Sequence, residues 1–311
     1  MRRRILTAAI LLLSSIAALG GSTPAQAVTA PVVVQAYYMT ATTVSGLENQ
    51  AYNDAHYFAA HNPNANRVLI LDFGSARCIS GNCGTHNTCP VTGATYGAED
   101  FGSPNTFFTN GDILNAMESA SQGLHDGYTS GINIIAYGTN NSNFTGMTYQ
   151  DICSAGYYQS ERVSSLASYE TSHGYVDQGA TAASDIEPSY SGPVQAQQLV
   201  NGDTNQGYAL YWDYGSADGC PTSGSGGCNN GWSQHDVGYV SFDGAAVPLP
   251  EIYNISANAS QWTVIAHQWG NGYFFEGATG APPTSTAQAG WLKLYNDFSG
   301  TVDRQLSCFG C

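Results

Sequence analysis

Short, almost continuously apolar runs recur along the chain, separated by stretches that can form helices. Runs of this kind are typical of parallel strands that are covered on both faces. They span residues 32–38, 67–73, 132–137, 180–187, 208–212, 249–253, 262–269 and, as an eighth, 273–276. Strands that alternate with helices form βαβ units, and about eight such units predict a closed barrel.

The intervening stretches carry helical signals. They span residues 44–61, 113–125, 149–173, 193–205 and 286–298. In the first, Leu47, Ala51, Ala55 and Phe58 recur on one helical face, and Pro193 suits a first helical position. A doubly wound open sheet is the alternative, but no Gly-x-Gly-x-x-Gly motif follows an early strand. We therefore predict an α/β fold, a single TIM-type (β/α)8 barrel with disulfide-stapled loops over residues 28–311.

The first residues of the chain have the three zones of an export signal. Three arginines at residues 2–4 precede an apolar run over residues 5–19, and Ala25-Gln26-Ala27 forms a small-x-small cleavage pattern. A retained membrane anchor is the alternative, but the run is shorter than the roughly 18 to 20 residues that a membrane-spanning helix needs. The sequence predicts a signal peptide over residues 1–27 and a secreted, extracellular protein.

All eight cysteines follow the predicted signal, and an even count in an exported chain predicts four disulfides. The cysteines are Cys78, Cys83, Cys89, Cys153, Cys220, Cys228, Cys308 and Cys311. The first three share one loop and cannot all pair among themselves, so we expect one to reach Cys153. Cys220 pairs with Cys228 in this interpretation, and Cys308 with Cys311. A zinc knuckle in the first cluster and a redox Cys-x-x-Cys at the end of the chain are the alternatives.

The chain is strongly acidic. It has 8 Lys+Arg against 23 Asp+Glu, and three of the arginines but none of the acids lie in residues 1–27, so 5 minus 23 leaves −18. Such a surface repels phosphate backbones and anionic lipid head groups, so we expect no nucleic-acid and no membrane partner. Neutral or cationic ligands suit it better. We expect a monomer, with no cofactor and no metal.

Carboxylates stand at the ends of several predicted strands, where a (β/α) barrel places its working residues. Asp185-Ile186-Glu187 is the most informative group, because alternation along a strand directs both carboxylates to one side and Ile186 to the other. Two carboxyl groups about 6 to 7 Å apart raise the pKa of one of them. A neutral and an ionised carboxyl group together suit glycoside hydrolysis. Asp72, at another strand end, is a third candidate catalytic residue.

Aromatic and polar side chains at the other strand ends predict a substrate-binding pocket. Their rings offer flat faces for sugars, and their polar groups can bind hydroxyl groups. The candidates are Tyr37, Tyr137, Trp212, Glu251, Tyr253, Gln268, Trp269 and Glu276. The tryptophans are interpreted either as a sugar platform or as packing residues.

Four short motifs carry a resemblance to a known family. They are Ser184-Asp185-Ile186-Glu187, Leu210-Tyr211-Trp212, Glu251-Ile252-Tyr253-Asn254 and His267-Gln268-Trp269. In strand order and in these motifs the chain resembles the family-25 glycoside hydrolase lysozymes (muramidases) and related secreted barrels. The resemblance implies that Glu187 is the general acid and that Asp185 orients groups or stabilises charge at the sugar. Because the first predicted strand lacks the family's acid, either Asp72 supplies it or the site is altered.

A second group is similar in one motif only. The family-18 chitinase-like barrels also end a strand in Asp-x-Glu, but residues 180–184 lack the acids that precede it there. The resemblance to the lysozymes implies an exported glycosidase that acts on a polysaccharide, peptidoglycan first. The alternatives are a barrel that binds glycans without cleaving them and a structural extracellular protein.

Other chemistries have little support in the sequence. No Gly-x-Ser-x-Gly elbow and no His-Glu-x-x-His motif occurs, which argues against esterase and zinc-protease activities. Asp72, Asp185 and Asp213 offer oxygen ligands for calcium, but no Asp-rich loop has the spacing of a calcium site.

Overall fold

A computed structural model describes residues 28–61, 65–81, 83–85, 87–127, 130–270, 274–298 and 301–311, with the side chains of residues 41 and 42 left out. The predicted signal peptide lies outside these residues. The strands are β1 Val34–Tyr38, β2 Arg67–Ser80, β3 Thr95–Glu99, β4 Phe107–Thr109, β5 Asn133–Asn140, β6 Gln178–Asp185, β7 Tyr211–Asp213, β8 Ala246–Pro248, β9 Phe275–Gly280 and β10 Val302–Phe309. The helices are α1 Ala41–Val44, α2 Leu47–His61, α3 Asn110–Gly127, α4 Tyr149–His173, α5 Pro193–Thr204, α6 Gln234–Phe242, α7 Ile255–Trp269 and α8 Thr284–Asp297.

Eight parallel strands form a nearly closed barrel, as predicted. Their order is β8-β7-β6-β5-β2-β1-β10-β9. The segment after β8 closes the ring against β9, since the Ile252 amide donates to the Thr279 carbonyl at 2.9 Å and the Thr279 amide donates to the Pro250 carbonyl at 2.9 Å. Beyond the barrel edge, β2 continues into an antiparallel hairpin with β3 and β4.

The strands separate two apolar layers, because successive side chains point to opposite faces. The layer inside the barrel contains Ala36, Val68, Ile70, Ala136, Ala183, Trp212, Tyr214, Val247, Leu249 and Phe309. A larger layer between strands and helices includes residues of the opposite parity, such as Leu69, Leu71, Ala182 and Tyr211. The parity of a strand residue therefore decides whether it lies in the barrel or under a helix.

The prediction of a strand at residues 262–269 is wrong, because those residues form the second half of helix α7 (Ile255–Trp269). Trp262, Ile265 and Ala266 are buried on one face of this helix, and that helical spacing explains the uninterrupted apolar run. The sixth barrel strand is Ala246–Pro248, earlier than the predicted 249–253. The eighth is Val302–Phe309, which has no predicted counterpart because the polar residues 303–305 interrupt its apolar pattern.

Four disulfides pair all eight cysteines, as predicted. The pairs are Cys78–Cys83, Cys89–Cys153, Cys220–Cys228 and Cys308–Cys311. Cys89–Cys153 ties the loop after β2 to helix α4. This disulfide content is consistent with an extracellular protein. Within the described residues, no helix is both long and apolar enough to span a bilayer.

The long-range disulfide is expected to stabilise the fold more than the local one. A Cys89→Ser/Cys153→Ser variant opens a loop with a sequence separation of 64, and Cys78→Ser/Cys83→Ser opens one of only 5. Chain entropy then predicts losses in the free energy of unfolding of roughly 4 and 2 kcal/mol respectively. Denaturant unfolding of both variants measures the two losses. Equal losses, or the reverse order, would contradict this account.

Candidate active site

Strand alternation brings a set of polar side chains to the inner face of the barrel at its carboxyl edge. Asp72 lies two residues beyond the inner-layer Ile70, and Asp185 two beyond Ala183. The register places Tyr38 opposite Asp72 and Asn140 opposite Asp185. Four neighbouring strands thus contribute to one mouth, as the fold predicts for a working site.

Three carboxyl groups converge in this mouth. One oxygen each of Asp185, Glu187 and Glu251 lies within 4.8 Å of the others. Ile186 packs in the outer layer, which confirms that Asp185 and Glu187 face inward from the end of the fourth barrel strand. The Glu187 amide donates to Asn141 Oδ1 at 3.0 Å, and the Glu251 amide donates to the Gly215 carbonyl at 3.0 Å.

Buried carboxyl groups, with no basic partner among the described residues, make the mouth strongly acidic. Asp185 is 5% exposed and Glu251 is 7% exposed. In the described part of the chain, the basic side chains bind elsewhere: Arg67 to Asn133, Arg77 to Glu99, Arg162 to Glu161, Lys293 to Asp297 and Arg304 to the Thr29 carbonyl. The negative charge of the mouth must therefore be relieved by protons or by a ligand.

Burial is the main cause of raised carboxyl pKa values in the mouth. It raises the pKa of Glu187 to about 7 and that of Glu251 to about 8, and it raises the pKa of Asp185 well above the ordinary range. Neighbouring acids add to the effect, and Tyr253 opposes it at Glu251 by a hydrogen bond. The carboxyl oxygens of Glu187 and Glu251 lie within 4.8 Å of each other, so the two groups oppose each other's ionisation.

Asp72, on β2, lies deeper in the barrel than Asp185, and its Oδ2 has no hydrogen-bond partner within the described residues. Its Oδ1 accepts from the Gly74 amide at 2.8 Å. Burial raises the pKa of Asp72 to about 6, and the hydrogen bond from the Gly74 backbone limits the rise. A Cβ at Gly138 would lie 2.6 Å from the Tyr214 hydroxyl oxygen, so a glycine in β5 makes room for this tyrosine.

Aromatic rings form a rim around the carboxyl groups. Tyr38 is 46% exposed and Phe101, after β3, is 54% exposed. The Tyr38 ring stacks on Phe309 with 4.3 Å between ring centroids and on Phe101 with 6.2 Å. Tyr190 continues the rim, with 6.4 Å between its ring centroid and that of Phe101. Tyr253 completes the rim beside Glu251.

The structure brings five predicted site residues together in the mouth: Asp72, Asp185, Glu187, Glu251 and Tyr253. Two predicted tyrosines lie elsewhere because their parity directs them outward. Tyr37 hydrogen-bonds to Asp54 on α2, and Tyr137 is buried under the helices, its hydroxyl 3.3 Å from Asn110 Oδ1.

The predicted tryptophan platform does not form. Trp212 points into the barrel but is only 2% exposed, so it packs beneath the mouth. Gln268 and Trp269 lie on α7 outside the barrel, where Gln268 Nε2 donates to the Gly224 carbonyl and Trp269 packs against His235. Glu276 lies near the start of β9 beside Asp303, at the opposite end of the barrel.

Several mouth residues are absent from the sequence-based set. They are Tyr38, Asn140, Tyr190, Tyr214, Ser216, Asp218 and the two phenylalanines Phe101 and Phe309. Strand parity could have selected Tyr38 over Tyr37, since Tyr38 has the same parity as the inner-layer Ala36. The register of β1 on β2 then places Tyr38 opposite Asp72. The loop residues carry no comparable signal.

Carboxylate oxygens are the ligands that Ca²⁺ and Mg²⁺ prefer in proteins. In the described residues, Asp185, Glu187 and Glu251 are the group with the spacing to hold such an ion.

Comparisons with known proteins identify no family for this chain. No family model matches, and no curated protein matches. A solved structure, the apo form of the homocysteine methyltransferase MmuM from Escherichia coli, is similar over 90% of this chain and 91% of its own, with a TM-score of 0.46 and 9% identity. At that level the similarity assigns no activity, and the resemblance to family-25 lysozymes stays a prediction.

The glycoside-hydrolase prediction is corrected. The side chains meant to form a sugar platform are buried beneath the mouth or lie outside the barrel. The polysaccharide substrate is withdrawn with the activity.

The raised carboxyl pKa values predict that the protein is less stable at high pH. Folding raises the pKa of Glu187, Glu251 and Glu170 to between about 7 and about 8. In the folded protein each of these carboxyl groups then holds a proton that it releases at about pH 4.3 in the unfolded chain. The contribution of these three groups to the free energy of unfolding is therefore fully present below that pH and is lost as pH rises to about 8.

Glu251→Gln tests the direction of this pH dependence directly, because glutamine keeps the shape of glutamate and cannot ionise. The variant should match the parent at about pH 5 and be more stable at about pH 9, by on the order of a few kcal/mol. Denaturant unfolding across that range measures the difference. Asp126→Asn, at an exposed position, is the control and should leave the pH slope unchanged. A parent whose stability rises between these pH values would contradict the burial argument.

Proposed function

We propose that the mouth of the barrel is the centre of an acid–base enzyme that acts on a small neutral or cationic ligand. One observation carries the proposal: carboxyl oxygens of Asp185, Glu187 and Glu251 lie within 4.8 Å of one another in a cluster at the carboxyl edge of the barrel. General acids and bases work best when their pKa lies near the working pH. The pKa values of about 7 for Glu187 and about 8 for Glu251 meet that condition.

Burial gives the two glutamates different roles. Glu251 is the more buried, and its higher pKa of about 8 keeps it protonated at neutral pH, so it is the proton donor. Glu187 is half-buried with a pKa of about 7 and is the acceptor. This assignment differs from the family resemblance, which implies that Glu187 is the donor. Asp185 lies beside both, and its own pKa is raised by burial first and then by Glu251 and Glu187.

We also propose that the protein is exported and works outside the cell. The four disulfides support this proposal, since such bonds persist in oxidising compartments.

Isotope incorporation from solvent tests the activity without a known substrate. The protein is incubated with a mixture of small neutral and cationic metabolites in heavy-oxygen water and deuterium oxide. Hydrolysis, hydration and isomerisation each place a solvent isotope in the product, which mass spectrometry detects. We expect labelling by the parent and a loss of about 100-fold or more in Glu251→Gln and Glu187→Gln. Asp126→Asn should label like the parent. Equal labelling by parent and glutamine variants, or none by the folded parent, would refute the proposal.

The rate of that labelling should peak between about pH 7 and about pH 8. Below this range Glu187 becomes protonated and cannot accept, as its pKa is about 7. Above it Glu251 loses the proton that it donates, as its pKa is about 8. A pH–rate profile of labelling measures both limbs. A rate that is flat across this range would show that neither glutamate transfers a proton.

A further inference from the structure

We propose that the ligand of this mouth is an organic cation, whose ammonium group lies between the carboxyl cluster and the aromatic rim. The inference rests on the proposed function, since it names the substrate class of the same site. The cluster consists of Asp185, Glu187 and Glu251, and the rim consists of Tyr38, Phe101, Tyr190 and Tyr253.

Charge is the first step of the argument. Asp72 and Asp218 add to the negative field of the cluster, and Asp218 is the strongest charged neighbour of Glu187. Each described arginine and lysine binds elsewhere in the chain. An anionic ligand would be repelled here, and a cation would relieve the repulsion among the acids.

An unsatisfied oxygen is the second step. Asp185 is only 5% exposed, and its Oδ1 has no hydrogen-bond partner within the described residues. Its parity directs it into the mouth, since it lies two residues beyond the inner-layer Ala183. Buried acceptors in folded proteins are nearly always paired. A ligand that donates an N–H or carries positive charge supplies what this carboxyl group lacks.

The aromatic rim is the third step, and it distinguishes an organic cation from a metal ion. A metal ion would use the carboxylate oxygens and leave the exposed rings of Tyr38 and Phe101 without a function. An ammonium group binds both kinds of partner, because aromatic faces attract cations within about 6 Å of the ring. Burial, and after it the surrounding acids, raise the pKa of Tyr38, so its hydroxyl stays neutral.

Choline and its neutral isostere 3,3-dimethylbutan-1-ol test the proposal, because they share a shape and differ in charge. Titration calorimetry at about pH 7 and low salt should show choline binding at least about tenfold more tightly than the alcohol. Tyr38→Leu and Phe101→Leu should each weaken choline binding about threefold or more. Tyr208→Leu changes a tyrosine of similar exposure at the amino end of β7 and should leave binding unchanged. Thermal melts confirm that each variant is folded.

Equal binding of choline and the alcohol, or no binding of choline, would overturn the inference. Calcium chloride and magnesium chloride are titrated in parallel. If either ion binds and choline does not, the carboxyl cluster is a metal site and the organic-cation inference is wrong. These measurements need no turnover, so they separate the two proposals. If Glu251-dependent labelling persists without choline binding, the enzyme proposal stands and the organic-cation inference falls.

Discussion

Burial of carboxyl groups without a described basic partner is the constraint on which the site depends. Asp185, Glu187 and Glu251 cannot all be ionised at separations within 4.8 Å in a buried mouth. Protons therefore stay bound at neutral pH, and the same condition makes the mouth receptive to a cation. Proton transfer and cation recognition are two consequences of one electrostatic arrangement.

Closure of the barrel creates that arrangement. Glu251 lies on the segment that pairs with β9, between the Pro250 carbonyl and the Ile252 amide that bind Thr279. Its own amide binds the Gly215 carbonyl after β7. The backbone contacts that close the ring thus also carry Glu251 toward Asp185 and Glu187. In an open sheet this segment would lie at a free edge, and the three acids would not be held together.

Local patterns in the sequence predicted much of the fold and the centre of the site. Asp185 and Glu187 face inward, as predicted, because side chains alternate along a single strand. Helix α4 (Tyr149–His173) matches its predicted bounds. Predictions that needed longer-range information failed. The apolar run ending at Trp269 is helical, and Glu276 stands at the start of its strand rather than the end. Tyr190 and Asp218 enter the site from the loops after β6 and β7, and the sequence of these loops carries no comparable signal.

The central claim is that Glu251 holds a proton near neutral pH because of its burial and its neighbour Glu187. Isotope-edited NMR of the glutamate carboxyl carbons measures its titration directly, with Glu251→Gln identifying the signal. The account predicts a pKa of about 8 for Glu251 and a lower pKa in Glu187→Gln, where the neighbouring charge is removed. A Glu251 carboxyl that titrates near about 4.3, the value of an exposed glutamate, would contradict it.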